Sequence, residues 1–181
     1  LANGEVIAAG MTNVGEIKTF RLLASQSSWT FFGTAAKDGQ VNTSSIVGAQ
    51  PDGTAVLVYR ASSGSVKAKK LPPGSQAWAG LPDLGTGSAG SVSPGVALNP
   101  VTGAMTASWI DAGSSSYNSS YLGLGAAAGP SIGSPATSGA RNRPGMAVDP
   151  VDGSALAVWF TTSSGVKAAR SNAPPGPPSP G

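Results

Sequence analysis

One sequence pattern recurs four times along the chain and limits the folds open to it. A turn-forming glycine followed by an apolar segment occurs at Gly4, Gly53, Gly103 and Gly153, at spacings of 49, 50 and 50 residues. A period of this length is typical of repeat architectures, in which each unit is one supersecondary element that packs on its neighbours. We therefore expect stacked copies of one small unit.

Other residue types recur at fixed distances after each glycine. An aromatic residue follows three of the glycines, and basic residues and a second aromatic residue follow further on. The recurring residues are Tyr59, Trp109 and Trp159 at a distance of six; Lys18, Lys67 and Lys167 at fourteen; Arg21, Lys70 and Arg170 at seventeen; and Trp29 and Trp78 at twenty-five. Chance is a poor explanation for so many matches at fixed offsets.

Each unit is predicted to contain four short strands. The last unit has an apolar strand at 146–148, a Pro- and Gly-containing turn at 149–153 and a nearly continuous apolar strand at 155–159. Proline presets φ in such a turn, glycine supplies a positive φ, and the apolar run suits a strand that is buried on both faces. In the second unit an alternating third strand follows at 66–69, and a fourth lies near Trp78.

Four-stranded units that repeat about every 50 residues predict an all-β fold, a β-propeller built of four-stranded blades. A β-sandwich also has many short strands, but it does not predict a regular period with aromatic residues at fixed offsets. The predicted boundaries are propeller repeats over 1–172, with units near 1–43, 44–93, 94–143 and 144–172, and a Pro-rich linker or tail over 173–181.

The strand inventory predicts an incomplete ring. The first unit starts at its second strand and the last ends after its third, so the chain carries about three and a half blades, whereas known propellers have at least four. An open sheet would leave unpaired strand edges. We therefore expect self-association or further blades outside this chain.

The composition agrees with such a repeat and limits the chemistry. The 26 Gly and 15 Pro residues are explained as turn residues, and small residues on the strands are explained as packing between blades. The chain contains no Cys and no His, which excludes disulfides, thiolate nucleophiles and imidazole catalysis. On these grounds the sequence predicts a protein that is not an enzyme, has no catalytic residues and uses no cofactor.

The repeat also resembles a known group of proteins. The segments that carry the resemblance are DPVDG at 149–153, AVW at 157–159, GVKAA at 165–169, and PPG at 72–74 followed by Trp78. Together they resemble the sialidase-like β-propeller repeats of secreted bacterial proteins. The resemblance implies a propeller fold and an extracellular or cell-surface location. It leaves the activity open, because propellers host enzymes, lectins and scaffolds.

Two sets of side chains are candidates for ligand binding. Aromatic faces stack on the apolar face of a sugar ring, and rows of basic side chains can meet an anionic glycan. The candidate residues are Trp29, Trp78, Tyr117 and Tyr121 among the aromatics, and Arg21, Lys70 and Arg170 among the basic residues. Packing between blades is an open alternative for the tryptophans, and solvated strand edges are one for the basic residues.

Other ligands are not expected. Asp52, Asp149 and Asp152 could in principle hold Ca²⁺, but Asp is a favoured turn residue, so no metal site is predicted. The basic clusters are too short for a nucleic-acid footprint, and no apolar run is long enough for a membrane span.

Two hypotheses about function remain. The first is a non-catalytic extracellular propeller module for binding or surface structure, with a glycan or a cell-surface protein as partner. The alternative is a lectin-like propeller with glycan-binding pockets between the blades.

Overall fold

A computed structural model describes most of the chain. The described residues are 4–85, 93–99, 102–111, 117–122, 128–131, 140–152, 154–161 and 165–170. Within them there are fourteen β-strands in four antiparallel sheets, and no helix. The predicted tail at 173–181 lies outside the described residues, and the predicted unit boundaries stay a prediction.

The sheets follow one another along the chain, and in each of them the strands are paired in sequence order. Sheet 1 contains β1 (Val6–Met11), β2 (Ile17–Leu22) and β3 (Thr30–Ala36). Sheet 2 contains β4 (Ile46–Ala49), β5 (Ala55–Arg60), β6 (Val66–Leu71) and β7 (Ala79–Gly80). Sheet 3 contains β8 (Gly95–Leu98), β9 (Met105–Ile110), β10 (Tyr117–Leu122) and β11 (Ala128–Ser131). Sheet 4 contains β12 (Ala140–Val148), β13 (Ala155–Thr161) and β14 (Gly165–Arg170).

The predicted all-β class, with small antiparallel sheets of three or four strands, is confirmed. The strands β1, β5, β9 and β13 each start two residues after the turn glycine of their unit. The closed ring of a complete propeller is not present among the described residues.

The turn before β5 shows how the repeat glycine acts. Gly53 has a φ of 84°, a left-handed conformation that other residues rarely adopt, and its N–H donates to the carbonyl of Gln50 at 2.9 Å. The carboxylate of Asp52 accepts a hydrogen bond from the N–H of Thr54 at 2.8 Å. The turn therefore closes by local bonds and sets the start of the next strand.

Apolar cores lie between successive sheets. Val56 and Val58 of sheet 2 pack in one cluster with Trp109 of sheet 3, and Tyr117 of sheet 3 packs in another with Trp159 of sheet 4. β5 and β9 are buried along their whole length, whereas β13 is buried only at every second residue. The middle sheets are thus covered on both faces, and sheet 4 is covered on one.

Polar side chains also join neighbouring sheets. The amide of Gln50 donates to the carbonyl of Gly103 at 2.6 Å, and a terminal guanidinium nitrogen of Arg60 donates to the carbonyl of Ile110 at 2.6 Å. The first strands of sheets 2, 3 and 4 lie side by side, because β4 contacts β8 and β8 contacts β12. The first strands of these three sheets, β4, β8 and β12, therefore lie next to one another in one row.

Within the described part of the chain, no helix is both long and apolar enough to span a membrane.

Candidate binding groove between sheets 1 and 2

Arg21 lies on the face of sheet 1 that packs on sheet 2. Side chains alternate along β2, so Arg21 shares this face with Thr19 and with the buried Ile17, which packs in one core with Leu57 of sheet 2. The guanidinium of Arg21 forms an ion pair with Glu5. Its central carbon also lies 4.0 Å from the centre of the Phe32 ring. The cation is thereby held in place, with 20% of its side chain still exposed.

Trp78 reaches the same face from sheet 2. Its indole nitrogen donates a hydrogen bond to the Thr19 hydroxyl at 3.3 Å, and that hydroxyl donates to the carbonyl of Gly33 at 3.1 Å. The ring packs against the core between the two sheets and is half-buried. Part of the indole therefore remains accessible beside the side chains of Thr19 and Arg21 on β2. We use the name first groove for the inter-sheet surface formed by Glu5, Thr19, Arg21, Phe32 and Trp78.

Trp29 occupies the repeat position of Trp78 but not its environment. Trp78 belongs to sheet 2 and packs on the sheet before it, sheet 1. By the same geometry, Trp29 of sheet 1 lies on the side of sheet 1 that faces away from sheet 2. In agreement, Trp29 is 48% exposed. Its exposure follows from its place at the open end of the described stack, and it lies outside the first groove.

The remaining predicted site residues lie elsewhere. Lys70 is paired in register with Val56, on the face of sheet 2 turned towards sheet 3. Arg170 donates to the hydroxyl of Ser154 at 2.8 Å and pairs with Asp152 at 2.7 Å. Tyr117 is buried. The side chain of Tyr121 lies outside the described residues.

The Tyr117 ring stacks on Trp159 with centroids 4.4 Å apart and an angle of 14° between the rings. Burial raises the pKa of Tyr117. Of the seven predicted residues, Arg21 and Trp78 share one inter-sheet surface, because Trp78 bonds to Thr19, which stands two residues before Arg21 on β2. Ligand binding by any of them stays a prediction.

Sequence reasoning missed Glu5, Thr19 and Phe32. The repeat contained a signal for Glu5. Glu5 stands one residue after Gly4, and Arg21 stands seventeen residues after Gly4. Ser154 and Arg170 have the same two positions in the last unit and are also in contact. Comparison of these two offsets would have paired Glu5 with Arg21.

A second polar cluster joins sheet 2 to the segment after β3. The Tyr59 hydroxyl donates to one carboxylate oxygen of Asp38 at 3.0 Å, and the Lys67 ammonium donates to the other at 2.8 Å. Burial and the charge of Asp38 raise the pKa of Tyr59, so its hydroxyl stays protonated and acts as a donor. Burial alone would raise the pKa of Asp38, but the bonds from Lys67 and Tyr59 outweigh it and lower that pKa.

This cluster predicts a loss of stability in acid. Because the pKa of Asp38 is lowered on folding, its contribution is present above the ordinary Asp pKa of about 4 and disappears as the pH falls through the folded value. Asp38→Asn should therefore be less stable than the wild type at neutral pH, and the difference should shrink on acidification. Urea unfolding of both proteins between pH 7 and pH 3 measures this. A difference that stays constant with pH contradicts the assignment.

The carboxylates of the turn aspartates accept hydrogen bonds from backbone N–H groups two residues further along the chain. Asp52 accepts from the N–H of Thr54 and Asp152 from that of Ser154, both at 2.8 Å. Asp149 accepts from the N–H of Val151 at 2.9 Å. Among the described residues, no group of three acidic, His or Cys side chains is placed to hold a metal ion.

Comparison with solved structures identifies similar folds. The intramolecular trans-sialidase of Ruminococcus gnavus, in complex with oseltamivir carboxylate, has a TM-score of 0.63 and 14% identity, over 93% of this chain and 40% of that one. The leech intramolecular trans-sialidase, complexed with 2,7-anhydro-Neu5Ac, has a TM-score of 0.65 and 14% identity, over 94% and 30%. AofleA from Arthrobotrys oligospora has a TM-score of 0.53 and 11% identity, over 94% and 54%.

The two trans-sialidases contain a sialidase-like β-propeller, and at this level of identity the likeness concerns the fold. The chain spans less than half the length of the two trans-sialidases. No family model matches the chain, and the search of curated proteins found no match. The specific repeat family suggested by the sequence is therefore not shown.

The expectation that the chain is not an enzyme is contradicted by this comparison. Both trans-sialidases are enzymes, and this chain resembles part of their fold. The absence of His and Cys removes two kinds of catalytic side chain and leaves carboxylates and tyrosines, so it was too weak a basis for that prediction.

Proposed function

We propose that the chain is an extracellular β-propeller segment of about three and a half four-stranded blades that binds an acidic glycan in the first groove. The observation that carries the proposal is the placement of a fixed guanidinium and a half-exposed indole on one inter-sheet surface. A charged content of only 10% supports the extracellular location in this proposal.

The side chains of the first groove suit a sugar that carries a carboxylate. Guanidinium groups bind carboxylates through two parallel hydrogen bonds, and indole faces pack on apolar sugar faces. The Arg21 Nε atom points to Glu5, so the terminal nitrogens are the donors that a ligand would meet. Because Glu5 and Phe32 already hold the guanidinium, little side-chain freedom would be lost on binding.

The fold likeness supports the choice of an acidic sugar. One neighbour was solved with 2,7-anhydro-Neu5Ac after soaking with 3'-sialyllactose. Sialic acids carry the carboxylate that Arg21 would recognise. We therefore take sialylated glycans as the ligand class.

Arg21→Gln tests this proposal. We expect the wild type to bind 3'-sialyllactose in preference to lactose, and the variant to bind it about tenfold or more weakly, because a charged hydrogen bond is worth about 1.5–3 kcal/mol. Isothermal titration calorimetry measures both affinities, and product analysis of the same mixtures reports whether the sugar is converted. Arg170→Gln, at the same repeat position but outside the groove, is the matched control and should bind like the wild type.

Two outcomes would contradict the proposal. One is equal binding of lactose and 3'-sialyllactose by the wild type, or no binding of either. The other is unchanged affinity in Arg21→Gln.

A further inference from the structure

Lys69 lies on the same inter-sheet surface as the first groove. In the register of sheet 2, Lys69 of β6 pairs with Leu57 of β5, and paired residues of antiparallel strands project to the same face. Leu57 packs in one core with Ile17 of sheet 1, and Ile17 shares its face of β2 with Arg21. The side chain of Lys69 therefore projects from sheet 2 towards the face of sheet 1 that carries Arg21.

Trp78 is a near neighbour of Lys69 on this face. Lys69 pairs with Gly80 of β7, and Trp78 stands two residues before Gly80. Trp78 is thus the diagonal neighbour of Lys69, at a separation of about 7–8 Å that long and aromatic side chains can bridge. The indole packs in the same core as Leu57, which agrees with this placement.

Lys69 has no counterion in the part of the chain that the structure describes. Lys67, two residues earlier on the same face, donates to the carboxylate of Asp38 at 2.8 Å. Lys69 takes part in no such hydrogen bond or ion pair with another described residue, although its side chain is partly buried. A partly buried charge is costly unless it is paired, so an acidic ligand would stabilise this ammonium group.

The position opposite Lys69 is open. Gly80 is exposed, and a Cβ atom added to it would meet no atom within 4 Å. Because Gly80 pairs with Lys69, the space that a side chain would occupy lies on the side of sheet 2 that is turned towards sheet 1. This space is bordered by Lys69 on one strand and follows Trp78 on the other, and a ligand can enter it.

We propose that Lys69, Trp78 and the open space over Gly80 form a second subsite, which takes the second acidic sugar of a glycan whose first acidic sugar is bound by Arg21. This inference rests on the proposed function of the first groove and narrows its ligand class to glycans that end in two neighbouring sialic acids. One carboxylate would pair with the guanidinium of Arg21 and the other with the ammonium of Lys69. The indole, which is bonded to Thr19 beside Arg21, would carry the sugar between them.

Disialyllactose, in which a second sialic acid is α2,8-linked to 3'-sialyllactose, is the probe. We expect the full chain to bind it about fivefold more tightly than 3'-sialyllactose, because a partly exposed ion pair adds a gain of about this size. In Lys69→Gln the ratio of the two affinities should fall to about one. Isothermal titration calorimetry with both sugars measures the ratio in each protein.

The next residue along β6 provides the matched control. Lys70 pairs with Val56 and faces sheet 3, so Lys70→Gln removes the same charge from the opposite face of the same strand. This variant should keep the preference for disialyllactose. Gly80→Val tests the open space, since the valine side chain would occupy it without meeting another part of the chain, and the preference should be lost.

Three results would overturn the inference. They are a wild type that binds 3'-sialyllactose but has no preference for disialyllactose, a preference that persists in Lys69→Gln or Gly80→Val, and an equal loss of it in Lys69→Gln and Lys70→Gln. Binding of neither sugar by the wild type is a different result, because it contradicts the proposed function of the first groove itself.

Discussion

Replacement of Trp159 by alanine is expected to lower the free energy of unfolding by about 3–5 kcal/mol, the usual cost of removing a large buried aromatic side chain. Trp159 is 3% exposed and stacks on Tyr117 across the boundary between sheets 3 and 4. Its loss would leave a cavity between two sheets and remove the ring contact as well. Urea denaturation followed by circular dichroism measures the change.

The adjacent residue on the same strand is the control. Phe160 points to the other side of β13 and is 48% exposed, so Phe160→Ala should cost about 1 kcal/mol or less. The two variants remove an aromatic residue from neighbouring positions and differ in what covers the side chain. Similar losses in both variants would show that Trp159 is not part of the core.

The repeat predicted the strands well because its signals are local. A turn glycine and the apolar run that follows require only nearby residues, and β13 begins at Ala155 as predicted. The third strand, predicted at 66–69, is observed as Val66–Leu71. The fourth strand of that sheet, expected near Trp78, is the short β7.

Burial could not be predicted from the repeat, because equivalent residues have different neighbours. Arg60 and Phe160 both stand seven residues after their glycine, yet Arg60 is fully buried and Phe160 is half exposed. Arg60 lies between two sheets, whereas Phe160 lies on the uncovered face of the last described sheet. Position in the stack decides this difference, and the repeat itself carries no information about it.

The polar contacts were only partly predictable for a related reason. Tyr59 and Lys67 belong to the repeat, but their shared partner Asp38 lies in the segment between sheets, where no offset recurs. Glu5 could have been paired with Arg21 from the repeat, whereas the bond from Trp78 to Thr19 depends on how two sheets pack. Contacts within a unit follow from the repeat, and contacts between units require the structure.

Replacement of Arg60 by methionine is expected to lower the free energy of unfolding by about 3 kcal/mol. One terminal nitrogen of Arg60 donates to the carbonyl of Ile110 at 2.6 Å and the other to that of Gly64 at 3.3 Å. Burial lowers the pKa of Arg60, and the opposing influence of Asp111 is smaller. Methionine fills a similar space but donates no hydrogen bond, so the carbonyl of Ile110 in sheet 3 and that of Gly64 in the β5–β6 turn of sheet 2 would each lose this donor.

Arg170→Met is the control for this prediction. Arg170 also pairs with polar groups, Asp149 and Asp152, but its side chain is 60% exposed, so water can replace those contacts. Exposed ion pairs typically contribute about 0–1 kcal/mol, and the cost in this variant should stay in that range. If Arg60→Met is no more destabilising than Arg170→Met, the bonds of Arg60 do not join sheets 2 and 3. A large loss in Arg60→Met alone would show that a buried guanidinium holds two successive sheets together.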